Sequence, residues 1–177
     1  GQTSLPLRQL DCPVLSWKQL SGQVIQVFLA QPADDPLRYY AGQFLEILHL
    51  DTSPKPFSIA NTFDPEKIEL HIRHLPGNPY TEQLIKDVIQ AQKLRISGPY
   101  GNMLLRNEPD YPLMFVAGGT GFAPFKAILE QLFSQPLRQK VYLYWGARRK
   151  ADLYWQTELE TWEKAFSQFI YVPVLSQ

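Results

Sequence analysis

With 177 residues, the chain can form one large domain or two small ones, each able to bury a modest core. Its 17 Lys and Arg are matched by 17 Asp and Glu, so no global field draws nucleic acid or an acidic membrane surface, and a small or locally recognised ligand fits better. Although 45% of the residues are hydrophobic, no uninterrupted apolar run approaches the roughly 18 to 20 residues of a membrane span, and a soluble cytoplasmic protein is expected.

The sequence opens on Gly1 rather than Met, with no signal-peptide pattern, which reads as a processed or internal start. Cys12 is the only cysteine; this rules out an internal disulfide, a CxxC redox pair and a four-cysteine iron–sulfur cluster within this chain, and favours a reducing compartment. From about residue 10 to residue 75, short stretches of β-branched and aromatic residues are punctuated by Pro, Gly and Asp, a barrel-like pattern. Ile25, Val27 and Leu29 share one face of a strand ending before Pro32, and Leu45 and Ile47 alternate with Phe44, Glu46 and Leu48 in the next. Further strands are predicted over residues 55–61, 68–73 and 94–96, the last running into Gly98-Pro99-Tyr100-Gly101, with a short helix over residues 80–89 as a barrel cap. His71 and His74 lie three apart on a strand and point to opposite faces, so they make a poor metal pair and no metal is expected.

Beyond the turn-prone residues 106–112 the pattern changes to buried apolar strands alternating with helices, as in a parallel α/β sheet. This separates a first domain, residues 1–108, from a second, residues 109–177. The second has strands predicted at 113–117, 141–145 and 169–175. Phe125, Ile128, Leu129, Leu132 and Phe133 share one helical face between the first two strands; Trp155, Leu159, Trp162 and Phe166 share another between the second and third, with Asp152 as the expected N-cap. This βαβαβ run is one mononucleotide-binding half of a doubly wound sheet. Further strands would be expected after Gln177, so the C-terminal part of the domain is expected to be absent.

The sharpest local signal is Val116-Ala117-Gly118-Gly119-Thr120-Gly121-Phe122-Ala123-Pro124, between a buried strand and an amphipathic helix. Glycines let a backbone approach a pyrophosphate, the free amides of a helix start face the anion, and Pro124 in the first turn gives up no needed hydrogen bond. The spacing departs from G-x-G-x-x-G and lacks the Lys-Ser/Thr of a Walker loop, so neither the common dehydrogenase fingerprint nor an ATPase is supported.

These residues resemble the ferredoxin-NADP reductase superfamily and, within it, the bacterial NAD(P)H:flavin reductases and the reductases of deoxysugar synthesis and oxygenase systems. The resemblance runs from Ala41-Gly42-Gln43-Phe44 to Val172-Pro173-Val174-Leu175-Ser176. Lys55-Pro56-Phe57-Ser58 is similar to the flavin motif Arg-x-Tyr/Phe-Ser, Gly98-Pro99-Tyr100-Gly101 to the turn closing the barrel, and Gly118-Gly119-Thr120-Gly121 to the nicotinamide-dinucleotide loop; Tyr144-Trp145-Gly146-Ala147-Arg148 with Asp152-Leu153-Tyr154 completes the set. Each motif is weak alone, and four in register are specific. The resemblance implies a six-stranded antiparallel flavin-binding barrel followed by a partial doubly wound parallel α/β nucleotide-binding domain. It implies FAD as the flavin, with FMN the alternative, and NADH or NADPH as hydride donor.

Carried over residue by residue, the resemblance sets Phe57 along the isoalloxazine and the Ser58 hydroxyl near flavin N5 as the catalytic group. Such a hydroxyl donates and accepts without adding a fixed charge. Lys55 stands where the family has Arg, a single mobile charge in place of a bidentate fork, with Pro56 fixing the backbone between it and Phe57. The segment His71-Ile72-Arg73-His74-Leu75-Pro76-Gly77, followed by Thr81, resembles the part of the family that wraps the flavin and meets its phosphates. There Gly77 brings backbone close, and Thr81, at a helix start, presents hydroxyl and amide to an anion or serves only as a cap. Arg148 is either near the dinucleotide or part of a solvated turn. Relatives that prefer NADPH often end the third strand in Ser-Arg; here Ser176-Gln177 favours NADH or mixed use. The expected function is hydride transfer from NAD(P)H to a flavin, with electrons passed to free flavin or an acceptor protein. The alternatives are the reductase module of a larger iron–sulfur system and a non-catalytic flavin- or nucleotide-binding fragment.

Overall fold

Six strands form the first sheet: β1 (Arg8–Gln19), β2 (Val24–Ala30), β3 (Phe44–His49), β4 (Thr52–Ser58), β5 (Lys67–Arg73) and β6 (Lys93–Tyr100). The computed structural model describes residues 4–49, 52–102, 105 and 111–176. All pairings in this sheet are antiparallel, in the order β4-β3-β6-β1-β2-β5. The sheet curls until its outer strands approach through an Ile59–Leu70 bridge, with the Ala60 amide donating to Glu69 O at 2.9 Å. Alternation explains the core: Val27, Leu29, Leu45, Ile47, Ile68, Leu70, Ile72 and Ile96 are all fully buried, one side of each pleat facing the barrel interior.

β1 carries too weak an apolar alternation to stand out in the sequence. Its inward side chains are only Leu10, Cys12 and Val14, its outward ones include the exposed Leu15 and Trp17, and Pro13 interrupts it. Pro13 is tolerated because the strand changes partner there: Arg8 to Pro13 pair with β6, and Val14 to Gln19 with β2, across a bulge between Val14 and Ser16. The strand predicted over 55–61 begins earlier and ends at Ser58. The predicted cap helix is α1 (Pro79–Lys86), which passes into a π-helical turn at Asp87–Ala91 and is stopped by left-handed Gln92.

The second unit contains β7 (Leu113–Gly118), α2 (Ala123–Phe133), β8 (Val141–Ala147), α3 (Gln156–Ala165) and β9 (Phe169–Leu175). Its strands are parallel and in sequential order, β7-β8-β9. Ala117, Val141, Leu143, Trp145, Phe169 and Tyr171 share a core with Leu129 and Leu159 of the helices. Their alternates Met114, Val116 and Val174 are exposed, so among the described residues the helices cover one face of this sheet. Asp152 is not the cap of α3: it closes a 3-10 turn, Lys150–Asp152, and α3 begins after Trp155 with no side-chain cap. Buried Leu153 spaces the turn from the helix by plugging the core.

Ala41 of the barrel packs with Ala127 and Ile128 of α2, tying the two units together. The sequence-derived boundary at 108/109 lies outside the described residues, as does Gln177. No described helix is long and apolar enough to cross a membrane.

Candidate functional site

Two neighbouring clefts open where the barrel meets the second unit. The larger, about 420 Å³, takes Lys55, Pro56, Phe57 and Ser58 from β4, His71 and Arg73 from β5, and Thr120 and Gly121 from the glycine turn. Pairing with β3 fixes the motif in place, Ser58 against Phe44 and Phe57 against Leu45. Lys55 and Phe57 lie on the same side of the chain by alternation, with Phe57 half-buried and Lys55 exposed. The Lys55 ammonium sits 5.0 Å from the centroid of the Tyr80 ring, so its charge is held over the cleft.

The loop after β5 is built from side chains to backbone. Asn78 caps α1, its Oδ1 accepting from the Tyr80 and Thr81 amides at 3.0 and 3.2 Å, with Pro79 supplying a fixed φ in the first turn. Thr81 is therefore not the cap. Its hydroxyl donates to Leu75 O at 3.0 Å and accepts from the Leu75 amide at 3.1 Å, closing the loop around Gly77. Gly77 has φ +82°, a conformation that a side chain would strain.

The smaller cleft, about 310 Å³, takes Ser21 and Gln23 from the β1–β2 turn, Gly119 and Thr120 from the glycine turn, and Arg148, Asp152 and Tyr154 from beyond β8. Arg73 and Thr120 line both clefts. Arg73 is held there by Gln23, whose Oε1 accepts from Nε and from the terminal amino group at 3.2 and 3.1 Å. The glycine turn is pinned from below, the Trp145 indole donating to Gly119 O at 2.9 Å.

The glycines of this turn are informative. A Cβ built on Gly118 or Gly121 meets nothing within 4 Å, and neither has a positive φ, so neither packing nor backbone conformation requires a glycine there. What their lack of side chain leaves open is the space in front of the helix start. Lys55, Arg73 and Arg148 supply positive charge around the two clefts, against the single carboxylate of Asp152. A phosphate-bearing ligand fits this donor set, and the half-buried Phe57 offers an apolar wall in the larger cleft.

Behind the clefts lies a buried polar cluster that pattern reading did not find. Glu69 and His71 share the outer face of β5, opposite apolar Ile68, Leu70 and Ile72. His71 Nε2 lies 2.7 Å from Glu69 Oε2, the other Glu69 oxygen accepts from Lys126 at 2.9 Å, and Gln26 donates at 3.0 Å. Lys126 also donates to Ala60 O at 3.2 Å and pairs with Glu130, which accepts from the Thr62 amide. His71 Nδ1 lies 2.9 Å from the Tyr154 hydroxyl. Burial pushes the Glu69 carboxyl up, but the His71 hydrogen bond and the Lys126 charge outweigh it and bring it to about 2. Burial pushes His71 below its ordinary value, only partly offset by Glu69. With both ring nitrogens engaged, the His71 imidazole has no nitrogen free for a ligand. Two signals were legible: a charged pair at i, i+2 on the outer face of an apolar strand, and the i, i+4 pair Lys126–Glu130.

Residues 115–177 match the family of oxidoreductase NAD-binding domains. The chain is 33% identical over 176 residues to protein RfbI of Salmonella typhimurium, covering 99% of this chain and 52% of that protein. It is 31% identical over 174 residues to the NAD(P)H-flavin reductase of Aliivibrio fischeri, covering 95% of this chain and 73% of that enzyme. The chain belongs to the ferredoxin-NADP reductase superfamily. Its structure superposes on the Amycolatopsis cytochrome P450 reductase GcoB, 32% identical, with a TM-score of 0.86, over 99% of this chain and 54% of that one. The chain thus spans about half the length of RfbI and of GcoB. Within this superfamily, the barrel and the parallel sheet follow in the expected order; residues of the Lys55–Ser58 motif, the glycine turn and the Arg148–Tyr154 segment line the two clefts, while Gly98-Pro99-Tyr100-Gly101, at the end of β6, is not among their lining residues.

Proposed function

We propose that this chain is the flavin-binding barrel and the first part of the nicotinamide-binding unit of an NAD(P)H-dependent flavin oxidoreductase. The observation that carries the reading is the pair of clefts sharing Arg73 and Thr120, one walled by the Lys55–Ser58 strand and the other by the open glycine turn. Bound FAD would supply the two-electron acceptor for hydride from NAD(P)H. Phe57 offers it a flat apolar wall, Lys55 and Arg73 offer phosphate charge, and the loop closed by Thr81 brings the backbone of Gly77 and the Ile72–Arg73 strand end alongside. Ser58 presents a neutral hydroxyl to the reacting edge. Gly118, Gly119, Thr120 and Gly121 admit the dinucleotide pyrophosphate to the start of α2, with Arg148 at the rim.

Electrons then pass to free flavin, as the name of the Aliivibrio relative suggests, or to an acceptor protein, as the name of GcoB suggests. A cytoplasmic enzyme using NADH at least as well as NADPH fits the reading, since Ser176-Gln177 brings no cation for a 2′-phosphate. The test is the flavin spectrum of the purified protein, followed by NADH and NADPH oxidation with FMN, FAD, ferricyanide and cytochrome c as acceptors. Stoichiometric flavin with no oxidation of either nucleotide would leave a binding fragment instead.

A further inference from the structure

The buried cluster contains a chain of hydrogen bonds whose polarity can be assigned. The ionised Glu69 carboxylate can only accept, so the 2.7 Å contact requires the proton of His71 on Nε2. In a neutral imidazole Nδ1 is then the acceptor, and the Tyr154 hydroxyl donates to it at 2.9 Å. The imidazole is fully buried, edge-on to Tyr154 with centroids 5.3 Å apart and flanked by Phe122 at 6.5 Å and Trp155 at 6.2 Å. These neighbours come from three places: the strand of the barrel, the glycine turn and the turn after β8.

Where this chain runs matters more than its contribution to stability. Ser58 and His71 each directly adjoin the Ile59–Leu70 bridge in sequence, and both line the larger cleft. Tyr154 lines the smaller cleft beside Gly119 and Arg148. The bond from Tyr154 to His71 therefore passes from one cleft wall to the other, linking the strand beside Ser58 to the turn beside the dinucleotide loop.

We propose, building on the flavin–nicotinamide reading above, that His71 and Tyr154 are positioning residues for hydride transfer, their hydrogen bond setting how the dinucleotide cleft is held against the flavin cleft. Neither side chain needs to touch the reacting atoms. A displacement of about 1 Å between donor and acceptor carbon centres is enough to slow such a step about 100-fold.

The experiment uses the flavin-loaded protein, Tyr154→Phe, His71→Gln and the double variant, each mixed with saturating NADH while flavin absorbance is followed. Tyr154→Phe keeps the ring and its packing; His71→Gln sets its amide at the Nε2 position, where the N–H still donates to Glu69, and removes the ring nitrogen at the Nδ1 position that accepts from Tyr154. In Tyr154→Phe the flavin bleaching rate is expected to fall about 10- to 100-fold. Flavin affinity should stay within about twofold, and the isotope effect with C4-deuterated NADH should rise as hydride transfer becomes limiting. The double variant should be no slower than the slower single, because one interaction is lost in both. A merely structural role would lower the melting temperature and leave the bleaching rate and isotope effect unchanged. That result, or losses in the two singles that multiply in the double, overturns the proposal while leaving the flavin reading intact. A parent protein that binds flavin but is not bleached by NADH, or binds none, overturns the flavin reading and this inference with it.

Discussion

Replacing Lys126 by Met tests whether the cluster between the barrel and α2 is an energetic element or an incidental contact. Lys126 is 3% exposed, and its ammonium serves Ala60 O, Glu69 and Glu130 at once. Met fills nearly the same volume, so packing changes little and the charge is what is removed. Glu69, 3% exposed, would keep its bonds from His71 and Gln26 but lose its cation. Breaking a buried pair by removing one partner typically costs about 3 to 5 kcal/mol, and the two surviving hydrogen bonds argue for the lower end, about 3 kcal/mol. For a chain of this size that corresponds to a fall of roughly 6 to 12 °C in melting temperature. Urea unfolding at pH 7 gives the difference directly, and Lys126→Met with Glu69→Gln should recover part of the loss, because no unpaired carboxylate then stays buried. In the parent, Glu69 contributes stability in full above 4.5, its ordinary value, and loses it as pH falls toward about 2; in Lys126→Met that acid dependence should shrink. A Lys126→Met protein within about 0.5 kcal/mol of the parent, the scatter of ordinary surface substitutions, would refute the reasoning.

Ser58→Ala should slow flavin reduction by about 10- to 1000-fold with flavin affinity kept, read by single-turnover bleaching; equal rates would remove Ser58 from the chemistry. Gly121→Ala meets no protein atom within 4 Å, so it should leave the melting temperature unchanged or slightly raised while raising the KM for NADH; an unchanged KM would show that the open space is not the dinucleotide's. Lys55→Ala should weaken flavin binding and Lys55→Arg tighten it, each about two- to tenfold and more at low salt, by fluorescence titration. His71, depressed by burial, stays neutral in the fold while the unfolded chain takes up a proton. Its contribution is therefore complete above 6.5 and is lost as pH falls below it. His71→Gln should flatten the stability profile between pH 6.5 and 5, and an identical profile would show that another group titrates there.

The parts of this protein that were legible in its sequence are those whose reasons are local. Alternation placed Leu45 and Ile47 on the barrel side of β3, the i, i+3, i+4 spacing placed Ile128 and Leu129 on the buried side of α2, and the glycine turn was found where strand gives way to helix. The cap of α1 was misread because two neighbouring polar residues competed: Asn78 directly before Pro79 satisfies the first amides, leaving Thr81 to fold back on Leu75. β1 escaped because it serves two partners and keeps only a thin apolar side. The Glu69–Lys126 and His71–Tyr154 contacts escaped for a different reason: their members are 57 and 83 residues apart and meet only when the two units dock. The polar pair inside an apolar strand and the i, i+4 spacing of Lys126 and Glu130 were the traces they left in the sequence.

β1 also imposes an order on events at the ribosome. Its second half pairs with β2 as a hairpin, Gln19 against Ile25, and can zip as soon as β2 has emerged. Its first half must wait for β6, pairing Arg8 with Gly98 and Pro13 with Lys93, a closure of about 85 residues that costs roughly 4 kcal/mol in chain entropy. At typical elongation rates of about 5 to 20 residues per second, those strand edges stay unpaired for several seconds of synthesis. Cys12 sits in that half, fully buried once β6 arrives and with its thiol pushed up by burial to about 11. The same thiol that is inert in the finished barrel is thus accessible on the growing chain, and its labelling by a maleimide would time the closure of the barrel from within.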